Sequence, residues 1–398
     1  MGFRVFASIN CQTRDFIICT LILQVKYIFF YYSATKYKLS VTPIPKYIMQ
    51  RHLFLFLYAY KACFSQLSVL LHILSVNMKE GAFLSIFKGA GTALVTPFKD
   101  GTVDWDSLNS LIQWQLDEKI DAVISCGTTG EASTLKDDEH IEVVKFTVNK
   151  VQQWALKNHS DESVFDGVPL EKRIPVIAGA GSNDTAHAIE MAQTLEKLGI
   201  DGLLLVTPYY NKCSQKGLIR HYEKIADSVK VPCIIYSVPG RTGVNILPDT
   251  VFYLADHPNI IGIKEASGDI SQVCSISRAI SESFDVYSGN DDMTIPMMSL
   301  GASGCISTAS NIIPGDVHMM THAYLDGDTD KAREMQLHMK PLIDALFADV
   351  NPIPVKAALS FMGKIRAEYR LPLCEASNAV LFNLMSEMKR YGLTLPEL

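Results

Sequence analysis

One lysine, Lys264, lies at the end of the apolar run Ile260-Ile261-Gly262-Ile263-Lys264. A lysine kept from water loses part of its preference for the ammonium form, whose ordinary pKa is about 10.4. The neutral amine attacks a carbonyl and forms a Schiff base. Imine chemistry also needs proton carriers at the carbinolamine and enamine stages. Suitable hydroxyls close other apolar runs: Tyr236 in Tyr236-Ser237-Val238-Pro239-Gly240-Arg241-Thr242-Gly243, Tyr210 in Thr207-Pro208-Tyr209-Tyr210-Asn211, and Thr128 in Gly127-Thr128-Thr129-Gly130-Glu131. No histidine closes any of these runs, so the phenols are the available acid–base groups, and a threonine hydroxyl can bridge two of them. A lone strand-end lysine usually snorkels to solvent, and a lone tyrosine usually packs. The chemical reading rests on several hydroxyl-bearing ends gathered around one amine. Strand alternation sets Gly262 on the same face as Lys264, where its missing side chain is expected to leave room for the amine.

The elements that must gather these groups are short apolar runs, each followed by a helical stretch. The runs are 92–96, 122–126, 175–179, 203–207, 233–236, 260–264, 285–288 and 304–307. Most starts fall near the ~30-residue spacing of a βα unit. One longer gap holds a polar insertion at about 152–171. Helix starts show as Asp106-Ser107 before Leu108 and Asn183-Asp184-Thr185 before Ile189, with Gly199 closing the second. Eight near-continuous apolar strands alternating with helices predict an α/β fold, a closed (β/α)8 TIM barrel, with chemistry at the C-terminal ends of the strands. The barrel is expected over 84–312. Helical patterns at about 315–347, 351–363 and 376–391 predict a small C-terminal helical domain, 313–398.

The chain has 398 residues, 48% hydrophobic and 20% charged, with a formal charge of −6. That is a globular profile without the basic surface of a nucleic-acid partner. Nine cysteines without a C-x-x-C pair point to reduced thiols in the cytoplasm. Residues 1–77 differ: eight Lys or Arg against one acid (Asp15), and one glycine, Gly2. A membrane anchor at 53–76 is interrupted by Lys61, Gln66 and His72, and no small-residue cleavage site follows the apolar stretch 16–23. We read 1–77 as an extension upstream of a start at Met78, outside the fold. Gly127-Thr128-Thr129-Gly130 lacks the lysine of a phosphate loop, and Gly179-Ala180-Gly181 lacks the third glycine of a dinucleotide fingerprint. His318 and His322 stand at i, i+4 without an HExxH glutamate and read as a structural pair. Neither metal nor organic cofactor is expected, since the imine itself serves as the electron sink.

The motifs GTTGE, TPYYN, Y-x-VP-x-RTG and GIKEASGD, in this order and spacing, resemble the dihydrodipicolinate synthase family. That family belongs to the pyruvate-dependent class I aldolases, which also include N-acetylneuraminate lyase. The resemblance runs from about Phe87 to the C-terminus and includes Asn351-Pro352-Ile353-Pro354-Val355-Lys356. It implies a lyase of lysine and diaminopimelate biosynthesis that condenses pyruvate with L-aspartate 4-semialdehyde. On this resemblance Lys264 forms the imine, Tyr236 is the general acid and base, and Thr128 with Tyr210 completes its proton relay. Tyr210 then reaches in from a neighbouring subunit of a homotetramer whose smallest competent unit is a dimer. Thr129, Ile306 and Gly289 correspond to substrate contacts, and Arg241 to the group holding the semialdehyde carboxylate. The alternatives are a sibling aldolase for sugar-derived 2-oxo acids and, in another class, a silent or membrane-tethered regulatory relative. Arg241 speaks against the first, because a guanidinium suits an amino-acid carboxylate; the complete hydroxyl set speaks against the second.

Some positions depart from the family pattern. Ser237 replaces a common asparagine, and Ala132-Ser133 reverses a frequent order. In the pocket where some members bind feedback lysine, His187 stands for a glutamate and Asp137 for a histidine, while Tyr209, Asn183 and His140 match. Inhibition by L-lysine is therefore expected to be weak or absent.

Overall fold

The computed structural model describes residues 85–158, 173–281 and 283–396, all within one compact unit spanning 81–398. The expected extension 1–77 lies outside the described residues.

Eight parallel strands close into a barrel: β1 (Gly89–Ala93), β2 (Ala122–Ser125), β3 (Val176–Gly179), β4 (Gly202–Val206), β5 (Cys233–Ser237), β6 (Ile260–Glu265), β7 (Asp285–Ser288) and β8 (Gly304–Ser307). Each pairs with the next, and β8 pairs with β1. Helices α1 (Trp105–Asp117), α2 (Asp137–Asn158), α3 (Thr185–Glu196), α4 (Gln215–Ala226), α5 (Pro248–Ala255), α6 (Ile270–Ala279), α7 (Thr294–Met298) and α8 (Pro314–Leu325) follow the strands in turn. The TIM-barrel expectation holds. β1 lies three residues earlier than its apolar run, because Gly89-Ala90-Gly91 carries no large apolar signal. At Gly91 a Cβ would stand 2.7 Å from Ile124 Cδ1 and 2.9 Å from Phe87 Cζ.

Strand residues are buried on both faces, and the two faces feed separate cores. Alternate residues point inward with Ile124, Ile177, Leu204, Ile234, Tyr236, Tyr287 and Ile306. Their neighbours, such as Val123, Leu203, Ile235 and Ile263, join the helix layer. Phe87 stacks on Tyr287 at 4.4 Å within the inner cluster, and the Tyr287 hydroxyl donates to the Phe87 carbonyl.

Helix starts use short polar side chains: Asp184 accepts from the Ala186 N–H, Ser214 from Gly217, and Asp269 from Ser271 and Gln272. α1 begins earlier than expected, capped by Asp104, which accepts from both N–H and hydroxyl of Ser107. α2 runs on to Asn158, so the first part of the expected polar insertion is helical. The pattern at 315–347 resolves into α8 and α9 (Thr329–Leu346), broken at Asp326-Gly327-Asp328, where Gly327 has φ +92°. α8 is the last barrel helix and packs on β1. α10 (Ile353–Phe361) and α11 (Asn378–Tyr391) follow and pack on each other and on α9. Among the described residues no helix is long and apolar enough to cross a membrane.

Candidate active site

β5 and β6 pair with Tyr236 opposite Lys264, beyond a register shift between Cys233 and Ile234. Both side chains face the barrel interior, each 6% exposed. The Lys264 Nζ stands 4.4 Å from the centroid of the Tyr236 ring. An amine and a phenol are thus held against each other near the C-terminal ends of adjacent strands. Thr207 backs the phenol's strand: its hydroxyl donates to the Tyr236 carbonyl at 2.8 Å and accepts from Tyr222.

Gly262 does not clear the space for Lys264. A Cβ there would strike the Asp285 carbonyl at 2.7 Å, so the missing side chain serves β6–β7 pairing. Gly289 does the task instead, since its Cβ would stand 3.0 Å from Lys264 Cε and 2.7 Å from Ala266 Cβ. Alternation along one strand predicted the wrong glycine because the crowding group comes from the next strand.

The loop after β2 turns tightly: the Gly130 N–H donates to Gly127 O and the Glu131 N–H to Thr128 O, with Glu131 at φ +53°. A cavity of about 650 Å³ opens beside it, lined by Thr128, Tyr236, Arg241, Tyr209 and His187 among others. Thr129 is buried behind this wall, its hydroxyl 3.4 Å from that of Thr308. Ile306 lies on the inward face of β8, 1% exposed. Tyr210 stands apart from these groups within the chain, 90% exposed at φ +72°.

Two groups near the site were not legible as site residues. Asn351 donates to Thr129 Oγ1 at 2.9 Å, and its carbonyl accepts from Arg241 Nη2 at 3.1 Å. Its Oδ1 is buried without a hydrogen-bond partner. Only the family-like segment 351–356 hinted at it. Asp291, wholly buried, accepts from the Thr308 and Ala309 N–H groups. Burial pushes its carboxyl up, against the pull of the Ser307 hydroxyl, those N–H groups and the Lys264 charge.

Ser237 donates to Asn245 Oδ1, which joins Gln272 and Glu265 in a polar network behind β5 and β6. Burial pushes the Glu265 carboxyl up. The Cys126 thiol is likewise pushed up to about 12 by burial and is a packing group. The Gly179 and Gly181 glycines let backbone pass: Cβ atoms there would lie 2.1 Å from Cys126 O and 2.4 Å from Val206 N. His187 bonds both oxygens of Asp137 at 3.1 Å. The pair read as His318 with His322 is in fact three residues, because Asp121 joins both rings.

An amine packed on a phenol in the mouth of a (β/α)8 barrel, beside an open cleft, is the arrangement of a barrel lyase that works on carbonyl compounds. Residues 86–155 and 166–390 match the Dihydrodipicolinate synthetase family, and the chain belongs to that family. It is 50% identical over 311 residues to the 4-hydroxy-tetrahydrodipicolinate synthase of Thermoanaerobacter sp. (strain X514), covering 78% of this chain and 98% of the relative. The synthase of Geobacter metallireducens is 48% identical over 308 residues, covering 77% and 100%. Among solved structures, dihydrodipicolinate synthase from Thermotoga maritima superposes with a TM-score of 0.72 at 40% identity, over 78% of this chain and 100% of that one. The enzyme from Cyanidioschyzon merolae with lysine bound gives 0.71 at 38%, over 78% and 99%.

Proposed function

We propose that this chain is a lyase that condenses pyruvate with L-aspartate 4-semialdehyde through a Schiff base on Lys264. The product is 4-hydroxy-tetrahydrodipicolinate, for lysine and diaminopimelate biosynthesis. Family membership and relatives at about half identity support the substrates and product. The observation that carries the mechanism is the Lys264 amine stacked on Tyr236 inside the barrel mouth.

The amine adds to the pyruvate ketone, and the carbonyl oxygen leaves as water after protonation, giving the imine. Loss of a methyl proton forms the enamine, whose carbon attacks the semialdehyde aldehyde. The substrate's own amino group then displaces Lys264, closing the ring and freeing the amine. Tyr236 gives and takes the protons, with Thr128 on the cavity wall and Tyr210 as its relay. Thr129, Ile306 and Gly289 shape the pyruvate end. Arg241, held by the Asn351 carbonyl, faces the semialdehyde carboxylate. Tyr210's exposure supports its serving a neighbouring subunit, in a homotetramer built from dimers. We place the enzyme in the cytoplasm, with the catalytic barrel running from β1 through α8 and the helices after it, α9 to α11, as the helical part that buttresses it.

Borohydride reduction in the presence of pyruvate, followed by peptide mass analysis, tests the reading. A pyruvate-derived adduct is expected on Lys264 and absent from Lys264→Ala. An adduct elsewhere, or turnover retained by Lys264→Ala, overturns it. Activity with aspartate semialdehyde, and none with sugar-derived 2-oxo acids, separates the leading substrate assignment from its siblings.

A further inference from the structure

At the opposite end of the barrel from Lys264, Asp121 enters β2, and His318 and His322 project one turn apart from α8. Asp121 Oδ2 lies 3.0 Å from His318 Nδ1, and Asp121 Oδ1 lies 2.8 Å from His322 Nε2. All three donor atoms fall within 4.8 Å of one another. We propose that this triad is a structural binding site for a borderline divalent transition metal such as Zn²⁺, Co²⁺ or Ni²⁺.

The donor set suits that class: two imidazoles and one carboxylate, with water for the fourth position. Bonds of about 2.0–2.1 Å in a tetrahedron put ligand atoms about 3.3 Å apart. Asp121 meets the two rings through different oxygens, at 3.0 and 2.8 Å, so an ion would replace these hydrogen bonds and draw together three donors that already lie within 4.8 Å of one another. The carboxylate is already fixed, because Asp121 Oδ2 also accepts from the Ala90 N–H at 2.8 Å. A fixed outer-shell donor of this kind orients a ligand. Space is kept by Gly89, φ +108°, where a Cβ would lie 2.3 Å from Asp121 Oδ2 and 3.0 Å from His322 Nε2. The two rings lie 4.1 Å apart, tilted by 38°, close enough to serve one ion as neutral donors. Access is open, with side-chain exposures of 16% for Asp121, 20% for His318 and 38% for His322. Bound there, the ion would tie α8 to the entries of β1 and β2, next to the seam where β8 closes on β1. The N-terminal face of such a barrel carries stability, not catalysis.

The test uses the full chain stripped with a chelator, titrated with Co²⁺ or Zn²⁺ by calorimetry and visible absorption. One equivalent per chain is expected, with cobalt d–d bands and no thiolate charge-transfer band, and no binding of Mg²⁺. His322→Gln and Asp121→Asn should each weaken affinity at least about tenfold, judged against the 10–100-fold that even outer-shell changes produce. Saturating Zn²⁺ should raise Tm by about 2–4 °C in the parent chain only. Two variants are used so that a folding failure of one leaves the other. Thiolate bands, unchanged affinity in a folded variant, or no binding in the parent overturns the proposal.

Discussion

Lys356→Met tests the contact that couples the C-terminal helices to the active-site loop. Lys356 on α10 and Glu131 at the end of the Gly127–Glu131 turn form a wholly buried ion pair, both side chains 0% exposed, at 2.5 Å. Burial pulls the Lys356 ammonium down, opposed chiefly by the Glu131 charge. The ammonium also lies 4.2 Å from the Phe98 ring. Methionine keeps the stem and removes the charge, leaving Glu131 with the Arg370 N–H at 3.2 Å as its remaining donor. Breaking one side of such a pair costs about 3–5 kcal/mol, a large share of a total of about 5–15. With a urea slope of about 3 kcal/mol/M, the midpoint should fall by about 1–1.7 M. Thr128 and Thr129 stand two to three residues from Glu131, so displacement of that turn should lower kcat by about ten- to a hundredfold. Glu131→Gln combined with Lys356→Met should be less destabilised than Lys356→Met alone, because no unpaired charge stays buried. An unchanged urea midpoint together with unchanged kcat would refute the reasoning, as would a double variant that simply adds the two losses.

Gly289→Ala should fold but lose kcat about ten- to a hundredfold, since its methyl would press on Lys264 Cε; parental kcat would show that the amine has slack. His221 resists protonation to about 4 in the fold, because burial disfavours its charge, while the unfolded chain takes the proton near 6.5. Stability present above pH 6.5 is therefore lost as pH falls toward 4, by about 3 kcal/mol. His221→Asn should flatten that slope in denaturation curves taken across the window, and an unchanged slope would contradict it. L-Lysine should inhibit weakly or not at all, because residue 187 is an imidazole and the adjacent Asp137 carboxylate is already bonded to it. Half-inhibition at sub-millimolar lysine would count against this.

The barrel was legible in the chain because parallel strands buried on both faces read as continuous apolar runs. Seven of the eight runs fall within one residue of the observed strands at each end, and β7 and β8 coincide with theirs. Lys264 and Tyr236 were legible too, as polar residues ending such runs where solvent or substrate must account for them. Tertiary structure alone decided the partners. Lys356 meets Glu131 across 225 residues, Asn351 meets Thr129 across 222, and His322 meets Asp121 across 201. Each of these residues is locally an ordinary helix or loop position. Gly289, not Gly262, makes room for the amine for the same reason: side-chain periodicity describes one strand, while crowding inside a closed barrel is set by the neighbours that closure brings together.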